Sequence, residues 1–292
     1  MAELALLIFT ICLQASIGIM VFVSIGKFVN KEGEYKNAIL GAALLAVIGL
    51  LASLLHLGQP FSAINALSRF ATSWLSREIW FTALFTGLTV LSALLALFKP
   101  DAKSAIKALV PIAGGIGLVD IFAMTAVYTS TGVPAWQHGS LFIEFYAATI
   151  SMGALLFLAL AKEESSSLLR IIVLTVFSAV LLQVVAMVLY YVGLGTSDNL
   201  AAQQSLALLG ELNLATTLKW LFLLIGSGVL LFPQKPSPKV NVSVGKTSLK
   251  VSTTAKLSAT TIYAATVLII VGQIIGRYLF YVMMVTSQIG LS

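Results

Sequence analysis

Eight stretches of about 20 apolar residues recur along the chain, near 4–26, 38–56, 79–98, 105–128, 140–161, 168–194, 214–232 and 260–285. Each is long enough to cross the hydrocarbon core of a bilayer as a helix. Polar segments punctuate them: Lys31-Glu32-Gly33-Glu34, Lys99-Pro100-Asp101, and the stretch 233–259, rich in Pro, Lys, Ser and Thr, which reads as a flexible linker. Short segments of alternating hydrophobicity, the mark of a transmembrane barrel, are absent from the sequence. The pattern predicts an all-α integral membrane protein, a bundle of eight transmembrane helices forming a single polytopic membrane domain over 1–292.

Composition agrees. Hydrophobic residues make up 59% of the protein and charged residues 10%, where a soluble domain carries roughly 25% charge. The net charge of +6 does not point to a nucleic-acid partner, because the basic residues are scattered singly through loops. Their distribution encodes orientation instead. Thirteen of the 17 Lys and Arg residues fall in odd-numbered loops, and only Arg69 and Arg77 in even-numbered ones. The positive-inside rule then places odd loops in the cytoplasm and both termini outside. The single cysteine, Cys12, lies in the first apolar run, which excludes a disulfide framework or a cysteine-ligated cluster. The start Met-Ala-Glu lacks a positive n-region and an A-x-A site, so the first helix reads as a retained span.

Candidate chemistry gathers on the outer face. The second span ends in Leu55-His56-Leu57-Gly58-Gln59-Pro60, the following loop carries Asn65 and Arg69, and Ser76-Arg77-Glu78-Ile79-Trp80 opens the third span. Glu78 is thereby expected at a helix N-terminus, where negative charge is favoured. A histidine and a carboxylate at one membrane interface suit quinol oxidation, which needs acceptors for two ring hydroxyls and a route for two protons. The competing reading is a set of interfacial side chains snorkelling to headgroups. His138, in Val133-Pro134-Ala135-Trp136-Gln137-His138, sits at a span end, a poor position for a haem ligand, and zinc would need loop carboxylates. Arg277 is the outlier inside the eighth span. It is costly there and must face the bundle interior, paired with Glu144 or Glu211 or placed beside a polar pocket. The glycines at 114, 115 and 117 and the pair Gly272-x-x-x-Gly276 have the spacing of close helix packing.

At these residues the sequence resembles the membrane-anchor subunits of dimethyl sulfoxide reductase-type molybdoenzymes, the DmsC family. The resemblance rests on His56-Leu57-Gly58-x-Pro60, Asn65, Arg69 and Ser76-x-Glu78. Val133-Pro134-x-Trp136, Pro233-Gln234 and Gly276-Arg277-x-x-Phe280-Tyr281 extend it along the full length. The resemblance implies an anchor in the bacterial cytoplasmic membrane that oxidises menaquinol as a bound substrate and carries no haem or metal. Electrons would pass to a four-cluster ferredoxin-like iron–sulfur subunit and on to a molybdopterin catalytic subunit in anaerobic respiration. It further implies His56 as the quinol-binding histidine and Glu78 as the quinol-site glutamate, with Asn65, Arg69, Trp80, Trp136 and Arg277 in supporting positions. The stretch 233–259 is longer and more basic than that family leads one to expect, and the loop 195–213 matches loosely.

An anchor of a polysulfide or nitrite reductase-type complex would share this architecture. A secondary transporter would need a substrate site near the midplane, whereas most charges here lie at span ends. The orientation is directly testable. A fluorescent reporter that matures only in the cytoplasm is expected to light up when fused after Lys99 or Lys162 and to stay dark after Thr131 or Ser197. The inverse pattern would turn the bundle over.

Overall fold

The computed structural model describes residues 2–56, 68–162, 164–232, 241–244, 247–250 and 257–286. Among them are eight helices long and apolar enough to span a membrane. The spanning helices are α1 (Ala2–Val29), α2 (Lys36–His56), α3 (Trp74–Phe98), α4 (Lys103–Thr129), α5 (Ser140–Leu160), α6 (Leu169–Gly195), α8 (Asn213–Gly228) and α9 (Ala259–Val282). The short connections make consecutive helices run in opposite directions. The C-terminal ends of α2, α4, α6 and α9 therefore share one face of the bundle with the N-terminal ends of the rest.

Three details depart from the sequence pattern. The third helix begins at Trp74, five residues before the apolar run, because Ser73 caps it by accepting the Ser76 N–H. Glu78 consequently sits in the second turn, inside the helix, and not at its N-terminus. The loop 195–213 contains a further helix, α7 (Leu200–Glu211), capped by Asn199 through the Ala201 N–H. The stretch 233–259 includes an antiparallel hairpin, β1 (Asn241–Val244) paired with β2 (Thr247–Lys250), so part of that linker is ordered by a backbone ladder.

α1 and α5 form the axis of the bundle. They are the most enclosed helices and lie against each other, with α2, α4 and α9 also touching α1. Their contact is backbone on backbone. A Cβ at Gly18 would collide with the Thr149 carbonyl oxygen, and one at Gly153 with the backbone of Gly18. Lipid tails give no hydrophobic drive for helix association, so close contact between small residues supplies dispersion energy in its place. Gly272 and Gly276 seat α9 on α8, where added methyl groups would meet Leu223 at 2.8 Å and the Lys219 stem at 2.9 Å. On α4, Gly117 faces Ile17 at 2.8 Å while Gly115 faces open space. Polar pins add to this packing: Ser16 donates to Ala42 O at 2.7 Å, and Tyr146 donates to Leu118 O at 2.8 Å.

Gly153→Ala should force α1 and α5 apart and lower stability by about 1–3 kcal/mol or more, the usual cost of overpacking. Gly115→Ala, facing open space, should be nearly silent. Thermal unfolding of the two purified variants separates them, and equal behaviour would contradict the close crossing.

Candidate functional site

An apolar pocket of about 280 Å³ opens between α1, α2, α3 and the end of α4, at the face where His56 terminates α2. Its walls are aliphatic and aromatic, with Leu6, Phe9 and Ile79 among them, and the exposed Leu54 and Leu75 frame the rim. Glu78, Thr82 and Tyr128 supply its polar groups, with Ser53 on the α2 side. The spacing on α3 explains the first two: Glu78 and Thr82 are four apart and so share one helix face. The volume lies at the lower edge of the ~300–1,000 Å³ typical of small-molecule sites, enough for a ring head group whose tail stays in lipid.

Glu78 is buried, 7% exposed, and forms no ion pair among the described residues. Thr82 donates its hydroxyl to Asp120 Oδ2 at 2.9 Å. Asp120 is fully buried on α4, and its Oδ1 has no hydrogen-bond partner among the described residues. With its proton committed to Asp120, the Thr82 oxygen presents only lone pairs toward the pocket. The Tyr128 and Tyr281 hydroxyls meet at 2.9 Å, and Tyr281 also donates to Thr10 Oγ1 at 3.4 Å.

From Tyr281 a polar ladder descends one face of α9 at four-residue steps, through Arg277 and Gln273. Arg277 Nη2 donates to Gln14 Oε1 at 3.0 Å, and its guanidinium lies over the Phe145 ring at 3.8 Å. Gln273 exchanges hydrogen bonds with Gln183 at 3.0 and 3.1 Å and donates to Ser151 Oγ at 3.2 Å. Below Gln273 the buried face continues as Ile269, Ala265 and Ile262, and Thr266 turns its hydroxyl back onto Ile262 O. The ladder stops inside the bundle.

Arg277 is thus buried as expected of an intramembrane arginine, but its partner is not the carboxylate the sequence suggested. Glu144 is taken by Lys219, at 2.8 Å across α5 and α8, and Glu211 is exposed at the end of α7. A neutral amide and two aromatic faces hold the guanidinium instead.

The other sequence candidates divide. Trp136 is buried behind the pocket wall: its indole N–H donates to Phe280 O at 3.0 Å, its ring stacks on Phe280, and it meets the Tyr128 ring edge-on. Trp80 is 41% exposed on α3 and does not line the pocket. Arg69 is exposed in the loop before α3, away from the pocket lining. Its neighbour Arg77 shapes that loop, donating to Phe70 O at 3.0 Å and Ala71 O at 2.7 Å while covering the Trp74 ring. Asn65 and the His56 side chain lie outside the described residues. His138 accepts the Ser140 N–H and packs against Tyr190, closing the Pro134–Trp136 turn onto α6. Among the described residues no three His, Cys, Asp or Glu side chains gather as a metal site.

Thr82, Asp120, Tyr128 and the Lys219–Glu144 pair were not singled out by the sequence. Asp120 carried a signal, since a carboxylate inside an apolar span is a functional candidate on cost alone. Buried ion pairs are strongly destabilised when only one partner is removed. Lys219→Met should therefore cost about 3–5 kcal/mol, and adding Glu144→Leu should recover most of it. Thermal unfolding of both variants checks this, and a double variant no better than the single would show that the pair is not the issue.

Sequence comparison relates the chain to known proteins. The profile of the family described as "DMSO reductase anchor subunit (DmsC)" matches residues 1–283. The YnfH subunit of an anaerobic dimethyl sulfoxide reductase from Escherichia coli (strain K12) is 26% identical over 286 residues, covering 96% of this protein and 94% of the relative. The C subunit of the anaerobic dimethyl sulfoxide reductase of Haemophilus influenzae is 28% identical over 283 residues, with the same coverage of each.

Proposed function

The protein belongs to the DMSO reductase anchor subunit (DmsC) family, and from that premise we propose that its pocket is where menaquinol is oxidised for a respiratory reductase of the dimethyl sulfoxide type. The observation that carries this reading is a buried carboxylate, Glu78, opening on a largely apolar slot rimmed by the exposed Leu54 and Leu75.

The quinol ring enters laterally between Leu54 and Leu75, and its tail remains among lipid chains. His56, at the end of α2, binds one ring hydroxyl. Glu78 accepts the other and takes its proton, as a positioned general base does. Thr82, with its own proton held by Asp120, offers a further acceptor and cannot compete as a donor. Two electrons leave for the nearest cluster of a ferredoxin-like iron–sulfur subunit, which feeds a molybdopterin catalytic subunit. That partner docks on the pocket's face, over α7 and the Pro134–Trp136 turn, because electrons need a short path.

Two protons must leave with the electrons. The polar ladder on α9 ends at Gln273, and below it that face of the helix is built from Ile269, Ala265 and Ile262. The pocket opens at the face where α2 ends, and the protons leave to that side, which the lysine distribution assigns to the outside together with both termini. Released and later consumed on one side, they make this cycle electroneutral. Arg277 stabilises the far wall of the site through Gln14 on α1, Phe145 and Phe280.

The test is menaquinol-analogue oxidation by the purified complex in wild type, His56→Ala and Glu78→Gln, with subunit and cluster content measured in parallel. Loss of a general acid–base group costs about 10²–10⁴-fold in rate. A fall of that size in both variants, with assembly intact, is the expected result. Normal turnover in both would move the site away from this pocket, toward Arg277.

A further inference from the structure

The opposite face of the bundle carries a second cavity, of about 270 Å³, that quinol oxidation leaves unused. Four segments build it: the end of α1 with the turn after it, the start of α2, the end of α3 with the turn after it, and the first turns of α4. Five lysines line it, Lys27, Lys31, Lys36, Lys103 and Lys107, against two glutamates, Glu32 and Glu34. The charges do not cancel. The ion pair here, Lys103 with Glu34 at 3.4 Å, joins side chains that are 68% and 57% exposed, where such pairs contribute little. Lys27 Nζ contacts the Gly33 and Glu34 carbonyl oxygens, at 3.4 Å each. Lys31, Lys36 and Lys107 make no hydrogen bond or ion pair among the described residues.

The start of α4 aggravates the imbalance. Its first residue is Lys103, its first turn holds no acidic residue, and Ala102 gives no side-chain cap. A helix N-terminus favours negative charge and leaves backbone N–H groups seeking acceptors, so a lysine there works against the dipole. Lys107 repeats the charge one turn later on the same face. A local rule broken this way marks a place where something else compensates, and the missing component is an anion.

The position identifies which one. α1 ends at Val29, α2 begins at Lys36 and α4 begins at Lys103, so the cavity lies where the spans meet the headgroup layer. Phe28 and Phe98, at the same ends of α1 and α3, are 69% and 76% exposed. Cationic groups beside exposed apolar rings suit an amphiphile better than a free ion.

We propose that this cavity binds the phosphate group of an anionic phospholipid, its oxygens held by Lys27, Lys103, Lys107 and the uncapped start of α4, its acyl chains lying over Phe28 and Phe98. The bound lipid neutralises the lysine cluster and fastens the α1–α2 turn to α4.

The experiment uses the full-length protein purified from membranes with whatever subunits accompany it, delipidated, then titrated with phosphatidylglycerol and followed by native mass spectrometry and thermal unfolding. Wild type is expected to retain phosphatidylglycerol and to be stabilised by it, and not by phosphatidylcholine. Each basic residue near an anionic lipid surface is worth about fivefold in binding, so Lys103→Gln with Lys107→Gln should weaken retention about 25-fold. Lys103→Arg with Lys107→Arg should restore it, and Lys162→Gln with Arg170→Gln, outside the cavity, should leave it unchanged. Equal retention by the Gln variant, or equal loss in the control outside the cavity, overturns the proposal. Protection by inorganic phosphate equal to that by phosphatidylglycerol overturns the lipid as the source.

Discussion

The contact between Gly18 of α1 and Gly153 of α5 sets the architecture. Two backbones touch there without side chains between them, and in lipid such contact replaces the hydrophobic drive that water would provide. It fixes α1 in the middle of the bundle. Everything α1 presents is placed by that crossing: Leu6 and Phe9 on the pocket wall, Thr10 beside Tyr281, Gln14 beneath the Arg277 guanidinium. The pocket is a consequence of the axis, since Leu6 and Phe9 on one of its walls belong to α1.

Around that axis the bundle has to answer for the polar groups it buries, because the surrounding hydrocarbon offers them no partners. It does so across helices: Thr82 to Asp120, Lys219 to Glu144, Gln273 to Gln183 and Ser151. Some groups are left over. Asp120 Oδ1, Glu144 Oε2, Arg277 Nε and Gln14 Nε2 are buried without partners among the described residues. These atoms lie on or near the elements that surround the pocket and its polar ladder, and the apolar lower half of α9 shows no comparable residue. The buried charged residues among those described, Glu78, Asp120, Glu144, Lys219 and Arg277, all lie in the halves of their helices nearer the face where redox chemistry is proposed.

Much of this was legible in the sequence. Each of the eight apolar runs corresponds to a spanning helix, and His56, Glu78 and Arg277 stood out as polar residues at or inside them. The residues that escaped did so for identifiable reasons. Lys219 and Glu144 lie 75 positions apart, and only tertiary packing shows that they neutralise each other, which is why the sequence offered Glu144 to Arg277. Thr82 looks like any hydroxyl in an apolar run until Asp120 fixes its proton. The true start of α3 lay upstream of its apolar pattern, because Ser73 caps a turn containing Trp74 and Arg77 that hydropathy alone reads as loop. The hairpin Asn241–Val244 with Thr247–Lys250 was hidden by polar composition, which signals exposure and says little about order, and the helix Leu200–Glu211 by its 12-residue length, too short to register as a span.

The pairing of Gln14 with Arg277 spans 263 positions of sequence, and this has a consequence for biogenesis. The first helix enters the membrane long before the last one exists. Ser16 finds Ala42 O as soon as α2 follows, and Thr10 bonds back to its own helix. Gln14 must wait for nearly the entire protein to be synthesised. Until then its amide oxygen lacks the Arg277 donor, and a polypeptide that stops short of α9 leaves it without that partner. Completion of α9 thereby settles a polar group on α1, so that a truncated polypeptide carries, inside the bundle, an unsatisfied amide of the kind that is costly in a membrane.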